Sequence, residues 1–162
     1  DGAVHGTPLR GVALAMNEPV GVIGMICPDE NPLLGMVSLL APALAMGNVV
    51  VAIPSEPFPL SATDLYQVFE TSDLPSGVVN LITAKHAEVA ETLAGHMDLD
   101  AVWYFGSSGQ SEIIEKASAT NLKRTWVNHG FARDWLDSMK GEGKEFLHQA
   151  TEVKNVWIPY GE

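Results

Sequence analysis

Short β-branched apolar runs alternate with longer stretches of helical spacing along most of this chain. Residues 12–16, 20–27, 48–53, 78–82, 101–105 and 121–128 read as strands. Residues 32–46, 60–71, 86–95 and 107–119 read as helices. The stretch 32–46 is apolar on nearly all sides, opens on Pro32 and meets a stop at Gly47-Asn48. Its Pro42 predicts a kink or a division. In 60–71 the helical face is Leu60, Thr63, Leu65, Val68 and Phe69. From residue 20 onward the order is β-α-β-α-β-α-β-α-β, with strands apolar on both faces and connections long enough for crossover helices. That pattern predicts an α/β fold: a doubly wound, Rossmann-like parallel sheet covered on both sides.

The rhythm breaks after Gly130. Residues 131–139 predict one short helix with Ala132, Trp135, Leu136 and Met139 on a single face. Lys140 to Lys144 reads as a flexible polar turn, and 151–160 as a terminal strand. At the other end, 12–16 reads as the second arm of a hairpin that turns around residues 6–11.

Composition narrows the function classes. The 162 residues suit one domain with a real core, 46% of them are hydrophobic, and the net charge is −11. So acidic a chain lacks the basic face that nucleic acid or an anionic membrane requires. No apolar run reaches the roughly 18 residues of a membrane span. A single cysteine, Cys27, fits a reducing compartment, hence a cytoplasmic expectation. The chain begins at Asp1 without a Met, which predicts a piece of a longer protein.

Candidate chemistry is sparse. Residues 105–111 form a strand–turn–helix whose free N–H groups at Gly106 and Ser107 could cradle a phosphate; ordinary Ser capping explains the same residues. His5, His86, His96, His129 and His148 are scattered without metal-ligand spacing. Trp135 reads as a core residue.

Five segments carry a family resemblance. Glu18 to Leu34 resembles the EPVGVVGQIIPWNFPLL opening of the aldehyde dehydrogenase nucleotide domain. Residues 48–60 are similar to NTVVMKVAEQTPL, 74–81 to LPPGVVNIV, 102–108 to VAFTGST and 121–130 to NLKRVTLELGG. The similarity runs through about residues 4–130, in family order. In that family a Cys thiolate attacks the aldehyde, an Asn helps hold the oxyanion, hydride passes to NAD and a Glu activates water.

Mapped residue by residue, the resemblance implies lost chemistry. The oxyanion Asn position is Glu30, and the general-base Glu position is Asn128, which cannot take a proton near neutral pH. The ribose-contacting Lys position is Ile53, while its acidic neighbour survives as Glu56. The nucleophile belongs to a catalytic domain that is missing after Gly130, and Cys27 reads as a buried, inert thiol. Trp103 and Trp126 stand where the family has smaller residues and are expected to fill space that a cofactor occupies elsewhere.

The tail from His148 resembles the closing strand of the family's oligomerisation flap, and Gly2 to Met16 resembles its first hairpin. The implied organisation is a flap hairpin over 1–17, a Rossmann-like nucleotide-domain remnant over 18–139 and a flap strand over 140–162. A small β-flap is thus built from the two chain ends, with Val156, Trp157, Ile158 and Tyr160 as an association edge. The layout is most like the C-terminal, non-catalytic region of family sixteen aldehyde dehydrogenases. That resemblance implies a pseudoenzyme without cofactor of its own, inside a parent that uses NAD. Its partners would be the parent's catalytic dehydrogenase unit and a second copy, with no nucleic acid and no membrane. The alternative is a weak NAD(H)-binding module using Glu56, Gly106 and Ser107.

Overall fold

A computed structural model describes residues 2–6 and 11–159. The parallel sheet contains β3 (Val22–Ile26), β4 (Val49–Ile53), β5 (Val79–Leu81), β6 (Ala101–Tyr104) and β7 (Arg124–Val127), in the order β5-β4-β3-β6-β7. The order reverses between β3 and β6, as a doubly wound sheet requires. Helices α1 (Pro32–Ala45), α2 (Leu60–Glu70), α3 (His86–Gly95) and α4 (Ser108–Ser118) connect successive strands.

The period-2 alternation of each strand splits the core in two. Ile23, Met25, Val50, Ala52, Ala101 and Trp103 face one layer with α1 and α2. Ile26, Ile53, Val102 and Tyr104 face the other, where α3 contributes Ala90 and Ala94 and α4 contributes Ile114. Both faces of the sheet are therefore dry, and the expected α/β architecture stands. Lys123, 8% exposed, donates Nζ to the Leu93 and His96 carbonyls and so closes the C-terminal end of α3. Burial draws its pKa down, while Asp100 opposes that shift.

Three expectations need correction. Helix α1 runs undivided through Pro42, and Met46 still donates to the Pro42 carbonyl at 3.1 Å. The final parallel strand is shorter than 121–128, because Leu122 sits at φ 57° and the backbone extends only from Arg124. Residues 131–137 form no helix. Asp134 takes the Leu136 N–H at 3.1 Å, and Asp137 takes the Met139 N–H at 2.8 Å, so each aspartate folds the backbone into a local turn. Trp135 is 3% exposed, but Leu136 and Met139 are 77% and 86% exposed, so the expected apolar face does not exist.

Two short helices follow, α5 (Ser138–Gly141) and α6 (Lys144–Gln149). Within the expected polar turn Gly141 alone is packed, since a Cβ there would meet the Trp135 carbonyl oxygen at 2.3 Å, while Lys140, Glu142, Gly143 and Lys144 are exposed. Phe146 of α6 is 1% exposed and joins an aromatic cluster on the sheet. Trp126 meets Trp103, Phe105 and Phe146 edge-to-face at 5.0, 4.9 and 5.3 Å. Phe105 meets Trp135 at 5.3 Å. The Arg133 guanidinium lies 5.2–5.8 Å from the rings of Phe105, Trp126, Trp135 and Phe146. Its outer edge pairs with both Glu145 carboxylate oxygens at 3.0 Å.

The second sheet is antiparallel: β1 (Ala3–Gly6), β2 (Gly11–Pro19) and β8 (Thr151–Pro159), in the order β1-β2-β8. The hairpin turn expected around residues 6–11 lies largely outside the described residues. Strands β2 and β8 pair over their full lengths, from Gly11 opposite Pro159 to Pro19 opposite Thr151. Asn48, 1% exposed, fastens this flap to the parallel sheet. Its Oδ1 accepts from Gly21 N–H at 2.9 Å, and its Nδ2 donates to the carbonyls of Ala43 at 2.9 Å and Ala150 at 2.8 Å. Arg124 adds donors to the carbonyls of Thr151 and His148.

Candidate functional site

The crevice at the carboxyl ends of β3 and β6 is where a sheet of this topology places ligands. Its first wall is the turn 27–31. Cys27, at the end of β3, is fully buried, and burial pushes its thiol up to about 12. A neutral, inaccessible thiol is no nucleophile. We expect a water-soluble thiol reagent to label Cys27 only as fast as the chain unfolds; burst labelling of the folded chain, followed by mass spectrometry, would contradict this. Glu30 is exposed beside it. Asn31 sits in the left-handed region at φ 50°, ψ 61°, and makes no side-chain cap to α1. Its carbonyl accepts the Gly35 N–H at 2.7 Å.

The second wall is the turn after β4. Asp29 Oδ1 accepts the Ser55 hydroxyl at 3.0 Å and the Glu56 N–H at 2.9 Å. Glu56 Oε2 in turn accepts the His86 N–H at 3.0 Å, at the first residue of α3. His86 Nε2 lies 2.8 Å from the Pro54 carbonyl and therefore carries a proton there. Pro54, Ser55, Glu56, Thr83, Ala84 and Lys85 line a cleft of about 240 Å³, below the roughly 300–1,000 Å³ of ordinary ligand pockets.

The third wall is the turn from β6 into α4. Gly106 N–H donates to Asn128 Oδ1 at 2.9 Å, and Ser107 N–H donates to the Tyr104 hydroxyl at 2.8 Å. Ser107 Oγ accepts the Gln110 N–H at 3.4 Å, the ordinary Ser cap. Asn128 Nδ2 donates to the Phe131 carbonyl at 2.9 Å, so this one amide joins β7, the β6 turn and the segment beyond. The spacing of 22 residues between Gly106 and Asn128 left no local signal for this bond.

The structure thus places Glu30, Glu56, Gly106, Ser107 and Asn128 in turns at the same, carboxyl end of the parallel sheet, Glu56 and Asn128 lining separate clefts, and these turns are tied within the chain. Val156, Trp157 and Ile158 lie elsewhere, on the flap, and Tyr160 lies outside the described residues. Trp157 is 78% exposed and Ile158 47%. They point to opposite faces, Trp157 opposite Ala13 and Ile158 opposite Val12. Trp103 and Trp126 are buried, at 1% and 9% exposure, and the space beside them holds Phe105, Trp135 and Phe146. Arg133, Glu145 and Phe146 were not singled out from sequence; only the unusual density of aromatics around residues 126–146 hinted at their association. Among the described residues no three His, Cys, Asp or Glu converge on a metal position, and no helix is long and apolar enough to cross a membrane.

The matching family model is "Aldehyde dehydrogenase family", over residues 3–132. The NADP/NAD-dependent aldehyde dehydrogenase PuuC of Escherichia coli (strain K12) is 39% identical over 130 residues, which are 80% of this chain and 26% of that protein. Aldehyde dehydrogenase 1A1 of Gallus gallus is 35% identical, covering 90% of this chain and 30% of its own length. A Staphylococcus aureus betaine aldehyde dehydrogenase, solved in complex with NAD+, superposes with a TM-score of 0.76 at 32% identity, over 80% of this chain and 26% of that one. The chain therefore spans between a quarter and a third of the length of these relatives. Motif order, the reversal between β3 and β6, and these likenesses agree: the chain belongs to the aldehyde dehydrogenase family.

Proposed function

We propose that this chain is a non-catalytic structural module of a larger NAD-dependent aldehyde dehydrogenase, docking on the catalytic unit and dimerising through its β-flap. The observation that carries this reading is β8. It is nine residues long, pairs only with β2 among the described residues, and leaves its other edge open. Nearly all of it is exposed, including the large ring of Trp157. A three-stranded sheet with solvent on both faces is marginal alone and gains most by continuing into another chain.

The state of the catalytic positions supports the non-catalytic half. Glu30 offers an acceptor where an oxyanion needs a donor. Asn128 spends its amide on Gly106 and Phe131. Cys27 is sealed in the core. The correspondence with the incomplete second copy of family sixteen enzymes, and a cytoplasmic setting, belong to this reading and rest on the motif order and the lone thiol.

Trp157→Asp tests it. By light scattering the chain is expected to be a dimer that the substitution converts to monomer, with the far-ultraviolet spectrum and melting curve retained. An unchanged dimer removes the flap from the interface.

A further inference from the structure

The family implies a dinucleotide in the crevice, and the residues present do not fit one. We propose that the crevice is latched by the chain's own acceptors, with Asn128 as the positioning residue that closes its phosphate-facing turn. Several of the donors that such a ligand would use are engaged inside the chain. A pyrophosphate at the start of a helix is held by backbone N–H groups and small hydroxyls. Here Gly106 N–H belongs to Asn128, Ser107 N–H to Tyr104 and the Ser55 hydroxyl to Asp29. The first N–H of α3 belongs to Glu56.

Sterics and charge agree. A Cβ on Gly106 would meet the Tyr104 hydroxyl at 2.3 Å, so that ring fills the space directly beneath the turn. Asp29, Glu30 and Glu56 add three exposed acidic residues to the turns after β3 and β4. The nearby Lys85 is drawn to Glu88 at 3.3 Å. A dianionic ligand would have to displace internal acceptors and then face carboxylates, losing charge-assisted bonds without gaining a cation.

The latch is independent of flap association, and its test reads different signals. The chain is labelled with nitrogen-15 and titrated with NAD+ to millimolar concentration. The amides of Gly106, Ser107 and His86 are expected not to move, and a saturable shift of these amides overturns the proposal. In Asn128→Ala the Gly106 amide loses its acceptor, so its hydrogen exchange is expected to accelerate roughly tenfold. Asn128→Asp keeps an acceptor at that place and is expected to restore slow exchange. Near-ultraviolet dichroism confirms that each variant is folded. Unchanged Gly106 exchange in Asn128→Ala also overturns the latch.

Discussion

Trp126→Ala is expected to cost about 3–5 kcal/mol of stability, the range for removing a large buried aromatic. Transfer of the ring is only part of the loss. Trp126 is the hub of three edge-to-face contacts, with Trp103, Phe105 and Phe146, and such pairs add roughly 0.5–1.5 kcal/mol each beyond their area. It also forms one wall around the Arg133 guanidinium. With the indole gone, Arg133 faces a cavity, and the cage that seats Trp135 and Phe146 loosens. A domain of this size has about 5–15 kcal/mol in total, so the variant should unfold at much lower urea. Amide exchange in α6 should accelerate more than in β4. A change below about 1 kcal/mol in urea titration would mean that the cluster packs without supporting the fold.

Asn48→Ala should cost less but still a large fraction of the total, roughly 2–3 kcal/mol, for a different reason. The side chain is small, so little apolar area is lost. It leaves the Gly21 N–H without its acceptor, and a buried unsatisfied group costs about 1–3 kcal/mol; the Ala43 and Ala150 carbonyls lose one donor each but keep the backbone N–H groups of Asn48 and Val20. Water reaching the junction would recover part of this. Ala150 immediately precedes β8, so exchange protection of β8 should fall before that of the central strands. Asn48→Asp separates the contributions: it keeps the acceptor for Gly21 and removes both donors. It should be no milder than Asn48→Ala, and a variant as stable as the native chain would show the network to be dispensable.

The parallel core was legible because its signals are local. Five apolar runs with β-branching, the first four each followed by a helical period, leave few arrangements besides a doubly wound sheet. The segment 131–150 was not legible, because tertiary contacts decide it. Trp135, Leu136 and Met139 carry helical spacing, yet Asp134 turns its own backbone and Asp137 caps the start of α5, so the helix begins only at Ser138. Gly141 read as part of a flexible polar turn and proved to be a point of close approach to Trp135. Gly106 and Ser107 were readable as a helix start, but the groups that engage their N–H donors come from Asn128 and the Tyr104 ring. The meaning of Glu56 changed in the same way: an acidic residue beside a proline turn gives no hint that its carboxyl group sits on the first N–H of α3.

The pairing of Gly11 with Pro159 and of Pro19 with Thr151 also sets a schedule for synthesis. A nascent chain exposes β2 early, but its partner is the last strand to leave the ribosome among the described residues. At about 5–20 residues per second that interval is on the order of 10 s, long compared with the time small strands take to pair. During it β1 covers one side of β2, while the edge meant for β8 stands open beside Val12 and Leu14. The parallel sheet has all its strands by Val127 and can consolidate meanwhile. Among the described residues closure of the flap is therefore the last pairing to form, and slowed translation between residues 127 and 151 would lengthen the time in which β2 can pair with the wrong neighbour.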